Sequence, residues 1–176
     1  MTRVERGVAF LGNLAFVAIA VVFVLVAVQR WSGAGTQDVD TSQLAPPPGT
    51  PVHYLAPSGS AAVPTLIVGL STACAFCEAS VPFYQSLVQL DDVVEGRVRL
   101  VVASFQGVEE MRAYLDDHDL RILDIAEVEA NEIPIRVTPT LLLVDRAGVV
   151  TASWAGRLPA SRELEVKAAI IQAAKT

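Results

Sequence analysis

The stretch Thr65–Pro82, TLIVGLSTACAFCEASVP, decides how the rest of the chain is read. Its first six residues, Thr65 to Leu70, are a short apolar run of the kind that forms a buried strand. From Ala75 to Leu90 the apolar residues return at helical spacing, interrupted by Pro82. Between them lies Thr72-Ala73-Cys74-Ala75-Phe76-Cys77-Glu78, so the chain's two cysteines stand three apart where strand gives way to helix. Unpaired backbone N–H groups and the helix dipole stabilise a thiolate there, which predicts a Cys74 pKa lowered from about 8.5 toward or below neutrality. Cys77, one turn further in, is expected to be buried and less acidic, yet close enough to resolve a mixed disulfide formed at Cys74.

Working outward, Arg97–Phe105 (RVRLVVASF) predicts a second buried strand, and Val108–Asp117 a helix with Met111, Tyr114 and Leu115 on one face. A strand, a helical crossover and a second strand imply a parallel pair. Arg121–Ile125 suggests a short extra strand and Glu127–Glu132 a short helix. Thr140–Val144 and Val149–Trp154 read as strands joined by Asp145-Arg146-Ala147-Gly148, a hairpin in which Gly148 supplies a positive φ. Ser161–Ala174 closes the chain as a helix, with Ser161 as N-cap and Leu164, Ala168 and Ile171 on its buried face. The fold class is α/β, a mixed sheet flanked by helices.

The N-terminal part has a different composition. Residues 7–29, between Arg6 and Arg30, carry no charge, and the apolar run Val8–Val28 has the length of a membrane-spanning helix. Its length, and the Val28-Gln29-Arg30-Trp31 that follows, favour a retained anchor over a cleaved signal peptide. Arg3 and Arg6 precede it, whereas Arg30 is followed by Asp38 and Asp40, so residues 1–7 are expected in the cytoplasm and the remainder outside. Residues 29–62, rich in Gly, Pro, Ser and Thr with Pro46-Pro47-Pro48 at the centre, read as a tether. The folded domain is placed at 63–176.

The net charge of −6 and the absence of a Lys/Arg cluster argue against nucleic acid as a partner. Glu109-Glu110 and Asp116-Asp117 read as the solvated face of a helix. A structural disulfide between cysteines three apart would close too short a loop to stabilise much. Zinc needs about four ligands, and His53 and His118 lie far apart, so both are read as surface residues. Copper or haem delivery by the cysteine pair stays open, since soft metals take thiolates.

Leu66 through Cys77 to Pro82 resembles the active-site strand and helix of thioredoxin-fold proteins, including the proline five residues after the second cysteine. Val137-Thr138-Pro139-Thr140-Leu141 resembles their second signature, a cis proline that starts the strand facing the cysteines. The following Leu142-Leu143-Val144-Asp145-Arg146-Ala147-Gly148 is similar to the hairpin of the membrane-tethered TlpA/ResA-like branch. The resemblance covers Pro64 to the C-terminus. It implies a thiol-disulfide oxidoreductase with Cys74 as nucleophile and Cys77 as resolving thiol, and with the Thr138 backbone, beside a cis Pro139, pairing with substrate. It also implies reduction of exported proteins, such as an apocytochrome c, on the periplasmic side. No metal and no bound cofactor are implied, because the Cys74–Cys77 disulfide is itself the redox centre. The implied partners are exported protein substrates, a membrane thiol electron donor and the lipid bilayer. An oxidant would run the same steps backwards, and Ala75-Phe76 does not reveal the direction. Three positions depart from the pattern. Ala73 stands where many relatives carry tryptophan, Val68 where thioredoxin has a buried acid, and Ser80 where ResA-like proteins have a glutamate. Glu78 reads as a first-turn acid complementing the helix dipole.

Overall fold

The computed structural model describes residues 41–52, 63–129 and 131–176. The expected membrane helix 8–28, residues 1–7 and much of the 29–62 tether lie outside the described residues. Among the described residues, no helix is long and apolar enough to cross a membrane.

Five strands form one mixed sheet in the order β3-β2-β1-β4-β5. They are β1 (Thr65–Leu70), β2 (Arg99–Ser104), β3 (Asp124–Glu127), β4 (Thr140–Val144) and β5 (Val150–Ala155). β1 pairs in parallel with β2, and β2 with β3. β4 runs antiparallel to β1 and to β5. All six residues of β1 are buried, as the apolar run demands of a central strand covered on both faces.

The strand period of two sorts the core into two layers. Leu66, Val68 and Leu70 of β1 join Leu141 and Leu143 of β4 on one face, packed against Cys77, Tyr84, Met111, Leu115, Val166 and Ile170 from the helices. Ile67, Leu142 and Val144 point to the other face, covered by Val52, Val128, Ile133 and Ile135. The helices of the first face are α1 (Ala75–Ala79), α2 (Val81–Val88), α4 (Val108–Asp117) and α5 (Ala160–Ala173), with a one-turn α3 (Asp91–Val94) after α2.

Several elements differ from the sequence reading. The helix expected over Ala75–Leu90 is two helices broken at Ser80, with Pro82 in the first turn of α2, where a missing N–H costs nothing. The extra strand lies at Asp124–Glu127 rather than Arg121–Ile125, because the Arg112 guanidinium donates to the carbonyls of Ile122 at 2.6 Å and Leu123 at 2.8 Å and ties that approach to α4. The described residues of 127–132 form no helix, since Glu127 is still paired with Ser104 and Val128 turns inward to cover the second face. Pro159, not Ser161, takes the N-cap position of α5, and the buried residues of that helix are Val166 and Ile170. Leu164 is 66% exposed and Ile171 40%; the helix is apolar on more than one side, and the stripe through Val166 is the one that meets the core.

Part of the segment read as tether is docked on the sheet. Gly49 N–H donates to the Val150 carbonyl at 2.8 Å, Val150 N–H to Thr50 at 2.9 Å and Val52 N–H to Gly148 at 2.7 Å. Val52 is 2% exposed, and Ser153 Oγ donates to the Pro46 carbonyl at 2.6 Å. The hairpin preceding β5 turns at Gly148, φ 77°, with the Asp145 carboxylate accepting from the Ala147 and Val149 amides at 2.9 Å each.

Candidate active site

Cys74 occupies the N-cap position of α1, with extended backbone, and its sulfur accepts from the Cys77 amide at 3.1 Å. Both cysteines are free thiols, Cys74 half-buried and Cys77 fully buried. The loop holding them is pinned from the neighbouring β2–α4 loop and α4. Cys74 N–H donates to the Ser71 carbonyl at 3.2 Å, Gln106 Nε2 donates to Ser71 Oγ at 2.6 Å, and Thr72 Oγ1 to a Glu110 carboxylate oxygen at 2.5 Å. Glu110, which the sequence places on a solvated helix face, is exposed there and also fixes the loop.

The start of β4 supplies the opposing wall. The Thr138–Pro139 peptide is cis. Cys74 Sγ donates to the Thr138 carbonyl at 3.3 Å, and Thr140 Oγ1 donates back to the Val137 carbonyl at 2.7 Å. Gly156 N–H donates to the Pro139 carbonyl at 2.7 Å, fixing this turn to the end of β5. Cys74, Cys77, Thr138 and Pro139 therefore meet at one end of the central strand pair.

The two thiols are electrostatically unlike. Partial burial opposes ionisation of Cys74, but hydrogen bonds from the Cys77 and Thr138 side chains and from the amides of Cys77 and Phe76 outweigh it and hold this thiol below the ordinary value. Burial pushes Cys77 up to about 12, helped by its hydrogen bond with Cys74 and by the charge Cys74 carries when ionised. Of the two, the half-buried Cys74 is the sulfur that ionises more readily.

Other residues singled out in the sequence fall around this pair. Glu78 is exposed, and its carboxylate stands 3.0 Å from His118 Nε2. His118 is not a free surface residue, because its ring meets Tyr114 edge-on with centroids 4.5 Å apart. His53 lies outside the described residues. Among the described residues no three His, Cys, Asp or Glu side chains gather as metal ligands. Phe76, between the cysteines, is 58% exposed and presents an apolar surface beside Cys74. Tyr84 and Tyr114 do not stand out as site residues in the sequence; at sequence level they are ordinary apolar-face positions of two helices, and nothing there indicates that both hydroxyls are buried in the cluster that holds Cys77.

No protein-family model matches the chain, and no curated protein matches it. Among solved structures it is similar to a thiol:disulfide interchange protein of the thioredoxin family from Chlorobium tepidum, with 14% identity and a TM-score of 0.51 over 64% of this chain and 81% of that one. It is similar in the same degree to dsbF of MTB, a structure in mixed oxidized and reduced forms: 14% identity, TM-score 0.51, 64% of this chain and 81% of that one. The fold is thioredoxin-like, a mixed five-stranded sheet with flanking helices, and the structural neighbours are thiol:disulfide interchange and thioredoxin-family oxidoreductases.

Proposed function

We propose that this chain is a thiol-disulfide oxidoreductase that reduces disulfides in exported proteins from a position anchored at the outer side of the cell membrane. The observation that carries the exchange chemistry is the asymmetry of the pair: a half-exposed thiol held below the ordinary value next to a fully buried one pushed up to about 12. The Cys74 thiolate attacks one sulfur of a substrate disulfide, and the other substrate sulfur leaves and takes a proton. Cys77 then loses its proton and attacks Cys74, forming the Cys74–Cys77 disulfide and releasing the second substrate thiol. The substrate gains two electrons, which a membrane thiol donor must later return to the pair.

The Thr138 carbonyl supports a place for the substrate chain. In the dithiol it accepts from the Cys74 S–H, and ionisation of Cys74 frees it to accept from a backbone N–H of an extended substrate. Exposed Phe76 lies beside that path as an apolar contact.

The exchange reading is tested by trapping. Cys77→Ser should accumulate dithiothreitol-sensitive adducts with protein substrates on nonreducing gels, and Cys74→Ser few; equal trapping by both would overturn the assignment of roles. Reduction as the working direction requires a Cys74–Cys77 potential below about −200 mV, and a value near that of a strong oxidant, about −120 mV, would reverse it. An alkaline phosphatase fused after Thr176 should be active if the domain lies outside the cytoplasm. An inactive fusion together with an active cytoplasmic reporter would remove the envelope location.

A further inference from the structure

Two polar groups that this chemistry leaves unused belong to the cluster that holds Cys77. The hydroxyls of Tyr84 and Tyr114 are both buried, and neither has a hydrogen-bond partner. Buried polar groups are normally paired, and an unpaired one opposes folding, so two together call for an explanation.

The helices show how they come to be there. Tyr84 follows Cys77 by seven residues and Ser80 by four, along α1 and α2, which stay in right-handed helical geometry at Ser80. Helical side chains lean toward the N-terminus, so the Tyr84 ring reaches back past Ser80 toward Cys77. Ser80 Oγ donates its own hydrogen to the Phe76 carbonyl at 2.8 Å, and its closeness to the Tyr84 hydroxyl only partly offsets the upward push of burial. Tyr114 comes from α4, between Met111 and Leu115, which pack in the same cluster as Cys77. The β1 residues of that cluster, Leu66, Val68 and Leu70, are apolar and offer Cys77 no side-chain partner.

We infer that Tyr84 and Tyr114 are the hydrogen-bond donors that receive the Cys77 thiolate while it resolves the mixed disulfide. The inference rests on the exchange reading above. Burial, and then the charge of Cys77, keep Tyr84 protonated; burial, then Glu78, then Cys77 do the same for Tyr114. A phenol that stays protonated beside a thiolate acts as a donor to it. The groups that set the charge around Cys77 are Cys74 and Glu78 on α1, Tyr84 on α2, Tyr114 on α4 with His118 just beyond it, and polar contributions from Ser71 and Thr138. In the step concerned, the Cys77 S–H proton goes to solvent, the Cys77 sulfur bonds to Cys74, and the departing thiolate takes up a proton. The tyrosines stabilise the transient charge and are unchanged at the end. Their vacant donors belong to the dithiol resting state, before that charge exists.

The test separates the two sulfurs in one trace. When reduced full-length protein is mixed with excess dithiobis-nitrobenzoate, the first coloured thiolate reports attack by Cys74 and the second reports closure by Cys77. Tyr84→Phe and Tyr114→Phe should each slow the second release about tenfold, the size of one hydrogen bond to a charged group, and move its pH midpoint upward. The first release should keep its rate. Both variants should also melt at or above the wild-type temperature, since each removes an unpaired buried hydroxyl and retains the ring. An unchanged second release in the double variant, equal slowing of both phases, or lowered melting would overturn the inference while leaving the exchange reading intact. A wild-type protein that closes no disulfide at all would overturn the exchange reading, and this inference with it.

Discussion

At Gly69 the central strand has no room for a side chain beside Ile135, and Gly69→Ala tests whether that approach matters. A Cβ at this position would lie 2.6 Å from Ile135 Cδ1, 3.2 Å from Ile135 Cγ2 and 3.5 Å from the Thr140 carbonyl oxygen. β1 cannot retreat, because Gly69 is paired to Ala103 on one side and Thr140 on the other. The relief must come from Ile135, itself 5% exposed. Overpacking of this kind costs about 1–3 kcal/mol. Ile135→Val removes Cδ1, the atom in worst contact, and alone costs about 0.5–1.5 kcal/mol. Independent effects would sum to about 1.5–4.5 kcal/mol. The new methyl fills the space left by Cδ1, so the double variant should lose only about 1 kcal/mol, a favourable coupling of about 1–2 kcal/mol. Urea unfolding of the four proteins measures this. Additivity within about 0.5 kcal/mol would refute the packing argument. Because Ile135 leads into Thr138, Gly69→Ala alone should also slow attack by Cys74, and Ile135→Val should restore it.

Iodoacetamide should alkylate Cys74 in the native protein with a pH midpoint below that of a free thiol and leave Cys77 unmodified until denaturant is added; a midpoint at or above the free-thiol value would contradict the hydrogen bonds assigned to its sulfur. The reduced protein should lose stability in alkali. Cys77 has a folded value, about 12, above its unfolded one, so its contribution is whole below the unfolded pKa and declines as pH rises toward 12. Between about pH 9 and 10 the decline is about 1.4 kcal/mol per pH unit, while the depressed Cys74 adds no slope there, and Cys77→Ala should flatten that window of the profile measured by urea unfolding; above it the raised Tyr84 and Tyr114 add slopes of the same sign. Val52→Ala should cost about 2 kcal/mol in the same assay, from two buried methyls and the cavity they leave. A fragment beginning at Thr41 should match the stability of one beginning at Gln29, whereas one beginning at Val63 should be less stable; equal melting of all three would show that the docked segment adds nothing.

The parts legible in the sequence are those that local pattern controls. Thr65–Leu70 announces a buried strand because each residue is apolar or β-branched, and the boundaries of β1 and β4 match the expected ones. The Asp145–Gly148 turn is readable because a side-chain acceptor and a positive-φ glycine are its requirements. Where apolar residues occur on several helix faces, as in Ala160–Ala173, periodicity offers more than one stripe and only the core chooses. The docking of Thr41–Val52 is illegible for a related reason. Its Pro- and Gly-rich composition describes a chain without regular structure, and three backbone hydrogen bonds with Gly148 and Val150 can hold such a chain without any sequence signature. The tyrosine hydroxyls were invisible because their importance depends on which way two helices lean on Cys77.

The site itself follows from one feature of the topology. β1 and β4 are antiparallel, so the end of β1, which feeds the Cys74 loop, lies beside the start of β4, which follows Pro139. Gly69 opposite Thr140 fixes that register, and the absence of a side chain at Gly69 lets the Ile135 segment close over it. A slip by one residue would shift Thr138 along the strand by about 3.4 Å and exchange the faces of Leu141 and Leu142. Either change separates the Thr138 carbonyl from Cys74 Sγ, now 3.3 Å away. The two layers of leucine and valine that hold the register thus also hold the sulfur against its acceptor. Exchange activity should therefore be lost through β4 substitutions that loosen the layers, such as Leu142→Ala, before the fold itself is lost. A Leu142→Ala protein that melts several degrees lower yet attacks dithiobis-nitrobenzoate at the wild-type rate would show that the site is held locally, by the Cys74 loop alone.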